Sequence, residues 1–178
     1  MKADLTAAYV RSILDYDPET GAFTWRERPR EHFKNAQAYS AWNTRWPRTV
    51  AGSAIAAGYI HIRINMSFYR AHRLAWLWMT GQWPVAEIDH INRSVSDNHW
   101  SNLREATSSQ NSANQTTRKD NTSGVKGVYW NSRRNKWHAR VHANGTCFHL
   151  GYFGDIDSAE AAYKTFATTL HGEFARMS

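Results

Sequence analysis

Short segments in the first half of the chain alternate apolar and polar residues with the two-residue period of a β-strand. One longer segment is typical of a helix, and Gly81, with Pro84 shortly beyond it, predicts where that helix ends. The pattern therefore predicts strands at Ala22–Arg26, Gly58–Ile64 and Glu87–Ile91, and a helix at Arg70–Gly81. Residues 27–50 show no readable pattern.

The second half predicts three more strands followed by one helix, with the strands at Gly127–Trp130, Lys136–His142 and Thr146–Phe153. Asn144-Gly145 predicts a tight hairpin turn between the last two strands, because both residue types tolerate a positive φ. The helix opens at Asp157-Ser158, and its apolar residues recur at spacings of three and four, which gives it one buried face. Three strands packed on one helix form a self-contained α+β unit.

A polar segment, Thr107–Ser123, separates these two aromatic-rich halves and contains almost no large apolar residue. Its first part is compatible with a short helix, which Thr107 or Ser108 would cap. We therefore predict one domain at residues 1–114, a polar linker at 115–122, and a second domain at 123–178.

The charge of the chain is concentrated in one segment. The 178 residues carry a formal charge of +7, and residues 115–150 hold seven Lys or Arg against the single acid Asp120. A surface that is merely well solvated would spread its charge, so this patch favours an acidic partner such as a nucleic acid over a neutral metabolite.

Other features exclude several classes of protein. No apolar run approaches the roughly 20 residues that a membrane crossing needs, and Met1–Val10 lacks the core of a signal peptide. The single cysteine, Cys147, excludes an internal disulfide and a four-cysteine zinc site. We therefore expect a cytoplasmic protein with no membrane contact and no structural zinc.

The richest polar cluster lies between Ile88 and Asn114, and four of its residues have side chains suited to hydrolytic chemistry. Asp89 supplies a hard carboxylate oxygen for a divalent cation, and Asn111 could add a second oxygen. His90 titrates near neutrality and could deprotonate a water, with Asn102 holding its other nitrogen. Taken singly, such residues more often belong to a surface turn, a helix cap or a polar linker, and none of them indicates a function.

Together with their spacing, these residues resemble the HNH endonucleases of phages and mobile elements. The resemblance rests on five segments of the chain: Tyr69–Trp76, Ile88–Asn92, Asp97-Asn98, Asn102–Arg104 and Gln110-Asn111. Asn102 follows Asp89 by 13 positions and Asn111 follows it by 22, as suits that family.

The resemblance implies a ββα-metal (His-Me finger) fold with added hairpin strands, in which two short strands and a helix hold one metal ion. By the same resemblance His90 is the general base, Asn102 orients it, and Asp89 and Asn111 are the metal ligands. One divalent metal is expected per site, Mg²⁺ or alternatively Mn²⁺. A single site cuts one strand, so a monomer that nicks and a homodimer that makes a double-strand break both remain open.

The second half resembles the ethylene-response-factor (Apetala) type of DNA-binding domain, which lays a three-stranded antiparallel sheet in the major groove and braces it with one helix. The matching segments are Asn121–Trp130, Lys136–Val141, His149–Phe153, Ala159–Tyr163 and Gly172–Arg176. Alternation along the middle strand places its basic residues on one face, which should meet DNA. The residues expected at DNA are Lys126, Tyr129, Arg133, Arg134, Lys136, His138, Arg140 and His142. Departures from the plant pattern, such as Arg140 where an acid is usual, mean that only the docking mode carries over.

These patterns together predict an HNH endonuclease of the homing type, from a phage or other mobile element, that hydrolyses phosphodiester bonds in duplex DNA. Its C-terminal domain would target it, and its location would be the host cytoplasm. The alternative is a DNA-binding regulator whose nuclease half is a relic, although such a relic would be free to lose any of the four site residues. An RNA-binding structural protein would rest on charge and aromatic content alone. The tryptophans and arginines of residues 27–50 could either pack or touch DNA.

Overall fold

The computed structural model describes residues 5–115, 117 and 120–175. Its contacts divide the chain into two compact units, residues 1–105 and 106–178. The sequence predicts a linker at residues 115–122 between two domains, and this stays a prediction. Arg118 and Lys119 of the basic segment lie outside the described residues. None of the helices in the described ranges combines the length and apolar character that a bilayer crossing requires.

The first unit is built from short helices and three small sheets. In chain order its elements are α1 (Ala7–Ile13), β1 (Leu14–Tyr16), β2 (Phe23–Trp25), α2 (Ala36–Arg45), β3 (Ser53–Ala54), β4 (Ile60–Ile64), β5 (Ser67–Arg70), α3 (Ala71–Thr80), β6 (Glu87–His90) and β7 (Leu103–Ala106). Strands β1 and β2 pair as a hairpin, β3, β4 and β5 form an antiparallel sheet with β4 in the centre, and β6 pairs with β7.

Helix α3 lies close to where the sequence predicts it. Its buried face includes Leu74, Ala75 and Leu77, which pack into one core with residues of α1 and β4 such as Val10 and Ile62. The helix ends at Gly81, whose φ of +83° lies in the left-handed region that side chains other than glycine and asparagine adopt at a cost.

The segment without a readable pattern contains a single turn of 3₁₀ helix at Arg30–His32 and then α2. Asn35 caps α2 by accepting a hydrogen bond from the Ala38 backbone N–H. No residue of α2 is buried. The helix packs on the core through the partly buried Trp42, with Trp46 just beyond its end, so its apolar face is narrow and gives only a weak periodic signal.

The second unit contains α4 (Ser108–Asn114), β8 (Val128–Asn131), β9 (Lys136–Ala143), β10 (Thr146–Phe153) and α5 (Ile156–His171). The strands form an antiparallel sheet with β9 in the centre, and their bounds lie within one residue of those predicted. Asn144 and Gly145 both have a positive φ, as a tight hairpin turn requires. The buried residues of α5, including Ala159 and Tyr163, pack on Val128, Ala139 and Val141 of the sheet.

Candidate active site and nucleic-acid interface

Asp89 and His90 lie side by side at the end of β6, and both are buried, with only 4% of each residue exposed. Neighbouring residues of a flat strand point to opposite faces, so their common burial comes from elements that cover both faces of β6. A loop, residues 91–102, then connects β6 to its partner β7. The loop closes on itself through a hydrogen bond from the Ile91 N–H to the Asn102 carbonyl.

The His90 imidazole is held by a neighbour to which the sequence analysis assigned no role. Its Nε2 lies 3.2 Å from Oδ1 of Asn98, which is itself buried. The Asn98 amide nitrogen donates to the Ser96 carbonyl, which directs the amide oxygen toward the ring. Since an amide oxygen only accepts, Nε2 carries the proton and the neutral ring keeps its lone pair on Nδ1.

The N-terminal hairpin supports Asn98 from behind. The Tyr16 hydroxyl of β1 donates to the Asn98 carbonyl at 2.6 Å, and the Trp100 N–H donates to the Pro18 carbonyl. Burial raises the pKa of Tyr16, so this hydroxyl keeps its proton. A Cβ on Gly21 would come within 2.3 Å of the Asn98 backbone. The turn between β1 and β2 therefore needs glycine to approach the loop this closely.

A second buried histidine, His72 of α3, packs edge-on against His90 with the ring centroids 5.0 Å apart. Burial, together with the neighbouring positive groups, lowers the pKa of His72 to about 3. Burial also lowers the pKa of His90, although the bond to Asn98 and the charge of Asp89 oppose that shift. Both imidazoles are therefore neutral at neutral pH, which is the state a general base requires.

The carboxylate of Asp89 is paired with Arg104 of the adjacent strand β7. Its Oδ2 accepts from both Nε and Nη2 of that guanidinium, each at 2.9 Å, and both side chains are largely buried. Such a two-pronged pair fixes the orientation of the carboxylate. The pair also makes each partner costly to remove alone, because the remaining charge would stay buried.

The donor set expected for a metal consists of oxygen atoms, namely the Asp89 carboxylate and the Asn111 side-chain carbonyl. Within the described ranges, no group of three or more His, Cys, Asp or Glu residues could hold a metal ion by itself. A pair of oxygen donors suits Mg²⁺, which keeps several of its waters and is often bound through one or two protein ligands and a phosphate. The oxygen atoms of these side chains are therefore the type of donor that the expected ion binds.

Asn102 fixes the loop. Its Oδ1 accepts from the Asn92 N–H at 2.9 Å, and its Nδ2 donates to the Asp97 carbonyl at 2.7 Å. The amide of Asn102 thus ties both ends of the 92–97 segment, next to the residue that holds His90. That Asn102 orients His90 stays a prediction. Its contact with His90 would be indirect, because Asn102 binds the Asp97 carbonyl and the next residue, Asn98, holds the imidazole.

Asn111 lies on α4, in the second compact unit. The helix begins with a capping box, in which the Thr107 side chain accepts from the Gln110 N–H and the Gln110 side chain accepts from the Thr107 N–H. This explains why a helix starts in a segment that is almost entirely polar.

One face of the three-stranded sheet carries a row of stacked rings and cations. The His138 ring stacks on His149 and on Tyr152, with centroids 5.2 and 4.7 Å away. The Arg134 guanidinium lies 4.6 Å from the Tyr152 ring, and that of Arg140 lies 4.5 Å from the Tyr129 ring. The remaining residues expected at DNA here, Arg133, Lys136 and His142, are exposed.

The opposite face of the same strand, with Ala139 and Val141, is buried against α5. The structure therefore separates the faces of β9 as alternation predicts. Burial lowers the pKa of His138, and the neighbouring His149 and Arg140 lower it further. At neutral pH His138 is therefore neutral and contributes a stacking ring to this face.

Lys126 has a different environment from the other residues expected at DNA. Its ammonium donates to the backbone carbonyls of Ala113 at 2.6 Å, Gln115 at 2.9 Å and Ser112 at 3.3 Å, at the C-terminal end of α4. Burial lowers its pKa. An ammonium has three N–H donors, so in this arrangement Lys126 caps a helix and none of its donors is left for a base edge.

Comparisons with known proteins agree with the N-terminal motif. The HNH endonuclease family matches residues 69–113. Protein 3.8 of Escherichia phage T7 is 34% identical over 113 residues, which cover 61% of this chain and 93% of the phage protein. An uncharacterized HNH endonuclease of Acanthamoeba polyphaga mimivirus is 35% identical over 88 residues, or 49% of this chain and 44% of the viral protein. No solved structure matches. The chain therefore belongs to the same family as the phage protein, and it carries an HNH endonuclease domain in its N-terminal region.

Proposed function

We propose that this protein is a metal-dependent DNA endonuclease of the homing type, which hydrolyses phosphodiester bonds in duplex DNA and is targeted by its C-terminal sheet. One observation carries the proposal. A buried, neutral imidazole, His90, is held by Asn98 beside a buried carboxylate, Asp89, inside the segment that matches the HNH endonucleases.

The residues of the first unit account for activation of the attacking water. Nδ1 of His90 takes a proton from the water as its oxygen attacks the phosphorus atom. The bond from phosphorus to the 3′ oxygen then breaks and the leaving oxygen takes a proton from solvent, which leaves 5′-phosphate and 3′-hydroxyl ends. The imidazolium that forms is stabilised by the nearby charge of Asp89 and by the Nε2–H bond to Asn98.

The metal ligands are Asp89 and Asn111, as the HNH pattern implies. When bound, Mg²⁺ or Mn²⁺ would supply positive charge against the negative charge that grows on the scissile phosphate. Arg104 fixes the orientation of the Asp89 carboxylate through its two hydrogen bonds and so positions this ligand.

The sheet of the second unit supports DNA binding through its exposed face. Arg133, Arg134 and Lys136 would contact phosphates, and Tyr129, His138, Arg140 and His142 would contact base edges or sugars. Lys126 would act here indirectly, by capping α4.

The test is cleavage of supercoiled plasmid by the full chain, with Mg²⁺ and with EDTA, beside the His90→Ala variant. We expect relaxed or linear DNA only with metal, and a loss of about 10²- to 10⁴-fold in the variant. A matched control is His32→Ala, which removes a partly buried histidine of the same unit outside the site and should cleave normally.

Persistent cleavage by His90→Ala would show that the assigned base is wrong. A wild-type chain that binds plasmid but never cuts it, under any divalent metal, would favour the DNA-binding regulator instead. The ratio of nicked to linear product would separate cutting of one strand from double-strand breaks.

A further inference from the structure

The hairpin of β4 and β5 exposes large apolar side chains on its outer face. The inner face, with Ile62 and Ile64, is fully buried in the core. On the outer side 67% of Phe68 is exposed, and at the tip 77% of Met66 is exposed. Soluble proteins rarely leave apolar side chains clustered on the surface without a function.

The tip carries a second unfavourable feature. Asn65 and Met66 both have a positive φ, of +48° and +64°. Asparagine adopts this conformation readily, whereas a long side chain such as methionine does so at a cost. Met66 thus occupies a position that glycine or asparagine would fill with less strain and less exposed apolar surface. This choice of residue is unfavourable for the isolated hairpin, which points to a role in binding.

The same face is basic. Arg63 is paired across the strands with Phe68, and its guanidinium lies 5.7 Å from that ring and 3.2 Å from the Met66 sulfur. Arg70 lies at the other end of β5, opposite His61. Residues 32–86 contain no Asp or Glu and six Lys or Arg. The chain around this hairpin therefore attracts a polyanion over a long stretch of sequence.

The outer face of the hairpin is also linked to His90, the candidate base, through Tyr59. The Arg70 guanidinium lies 4.8 Å from the Tyr59 ring. That ring is 5.5 Å from His72 and 6.3 Å from His90, measured between ring centroids. A strand of DNA whose phosphate is bound by Arg70 would therefore pass next to the buried site.

We propose that Arg63, Met66, Phe68 and Arg70 form a second DNA-binding surface, located in the nuclease unit and independent of the C-terminal sheet. The arginines bind phosphates close to the cleaved bond. Met66 and Phe68 enter a groove and pack against base steps, as apolar wedge residues do in proteins that bend DNA. This proposal rests on the proposed function, because it requires duplex DNA at the candidate site.

The first test uses the full chain and the salt dependence of its affinity for a duplex. Removing one cation that binds a phosphate should reduce the slope of log K against log salt by about one. We expect that reduction for Arg63→Ala and for Arg70→Ala. Arg26→Ala is the matched control, because the Arg26 charge is already paired with Asp15, and its slope should stay that of the wild type. An unchanged slope in both test variants would overturn the assignment of these arginines to phosphates.

The second test combines Met66→Asn with Phe68→Ala, two changes at exposed positions, of which the first also relieves the backbone at the tip. Without these side chains to pack against bases, duplex binding should weaken about ten-fold. The double variant should also remove any increase in 2-aminopurine fluorescence that wild-type protein causes at the base step where the side chains insert. The control is Val85→Ala, another exposed apolar residue, which should bind as the wild type does.

The outcomes distinguish the two proposals. If wild type cuts DNA with metal while the double variant keeps wild-type affinity and fluorescence, the hairpin proposal fails and the nuclease proposal stands. If wild type neither binds nor cuts duplex DNA, both proposals fail. A concentration-dependent dimer that sedimentation detects in wild type but not in the double variant would assign these side chains to self-association and overturn the hairpin proposal.

Discussion

The two polar regions of this protein differ in how far their side chains are exposed to water. At the end of β6 and in the loop that follows it, the site residues Asp89, His90 and Asn98 are buried and each has a partner that fixes its orientation. On the sheet of the second unit, residues such as Lys136 and His142 are exposed. Proton transfer needs a neutral base in fixed geometry, whereas phosphate recognition needs accessible charge. Changes to the first region should therefore alter turnover, and changes to the second should alter affinity.

The largest effect is expected from Asp89→Ala, which should abolish cleavage and also lower the free energy of unfolding by about 3–5 kcal/mol, because the largely buried charge of Arg104 loses the carboxylate that it is paired with. Loss of cleavage alone would therefore not establish that Asp89 is a metal ligand, because a destabilised protein would also lose activity. The double variant Asp89→Ala with Arg104→Met also removes the buried charge of Arg104. We expect chemical denaturation to show regained stability while plasmid cleavage stays absent, and recovery of cleavage would contradict the role of Asp89 as a metal ligand.

The next largest effect is expected at Asn98, and it distinguishes the role of Asn98 from that of Asn102. Asn98→Ala removes the acceptor that fixes the His90 tautomer, so kcat should fall by about 10- to 100-fold while the affinity for DNA stays unchanged. Asn98→Asp keeps an acceptor and should recover part of this loss.

If Asn102 acts through the same loop, the double variant Asn98→Ala with Asn102→Ala should be little worse than either single variant, since residues that work as a unit are not additive. Single-turnover kinetics on saturating DNA measures both variants and their combination. Multiplicative losses would show that the two amides act separately.

On the sheet, Arg140→Ala should weaken DNA binding by about 1–3 kcal/mol and relax sequence preference, if Arg140 contacts a base edge. Its kcat at saturating DNA should be that of the wild type. A smaller loss that is uniform across sequences would indicate a phosphate contact instead. Fluorescence anisotropy with a panel of duplexes measures the difference.

The smallest effect is expected at Lys126, and it divides the residues assigned to DNA into two groups. Lys126→Met leaves three carbonyls at the end of α4 without their cation, so the free energy of unfolding should fall by about 1–2 kcal/mol. Binding of short duplexes should hardly change. Lys136→Met is the matched comparison and should do the opposite, with weaker binding and unchanged stability. Equal losses of affinity in both variants would show that Lys126 contacts DNA.

Much of the framework follows from local sequence. The strands of the C-terminal sheet follow from alternation and from the Asn144-Gly145 turn, and α3 follows from its apolar face and Gly81. Helix α2 shows the limit of this approach, because none of its residues is fully buried and its contact with the core, through Trp42, gives only a weak periodic signal. The HNH domain could be identified because its motif residues keep characteristic spacings along the chain, and the family comparison confirms that identification.

The sequence by itself therefore determined the order of most elements, the family of the N-terminal domain and the concentration of charge near the sheet. Only the tertiary structure decided which polar groups meet: Asn98 with His90, Arg104 with Asp89, and Lys126 with the end of α4. Periodicity reports which residues share the side of an element that faces the core, because the geometry of that element sets the spacing at which side chains on one side recur. The partner of a side chain depends on how loops and separate elements pack together, and no local pattern in the sequence contains that information.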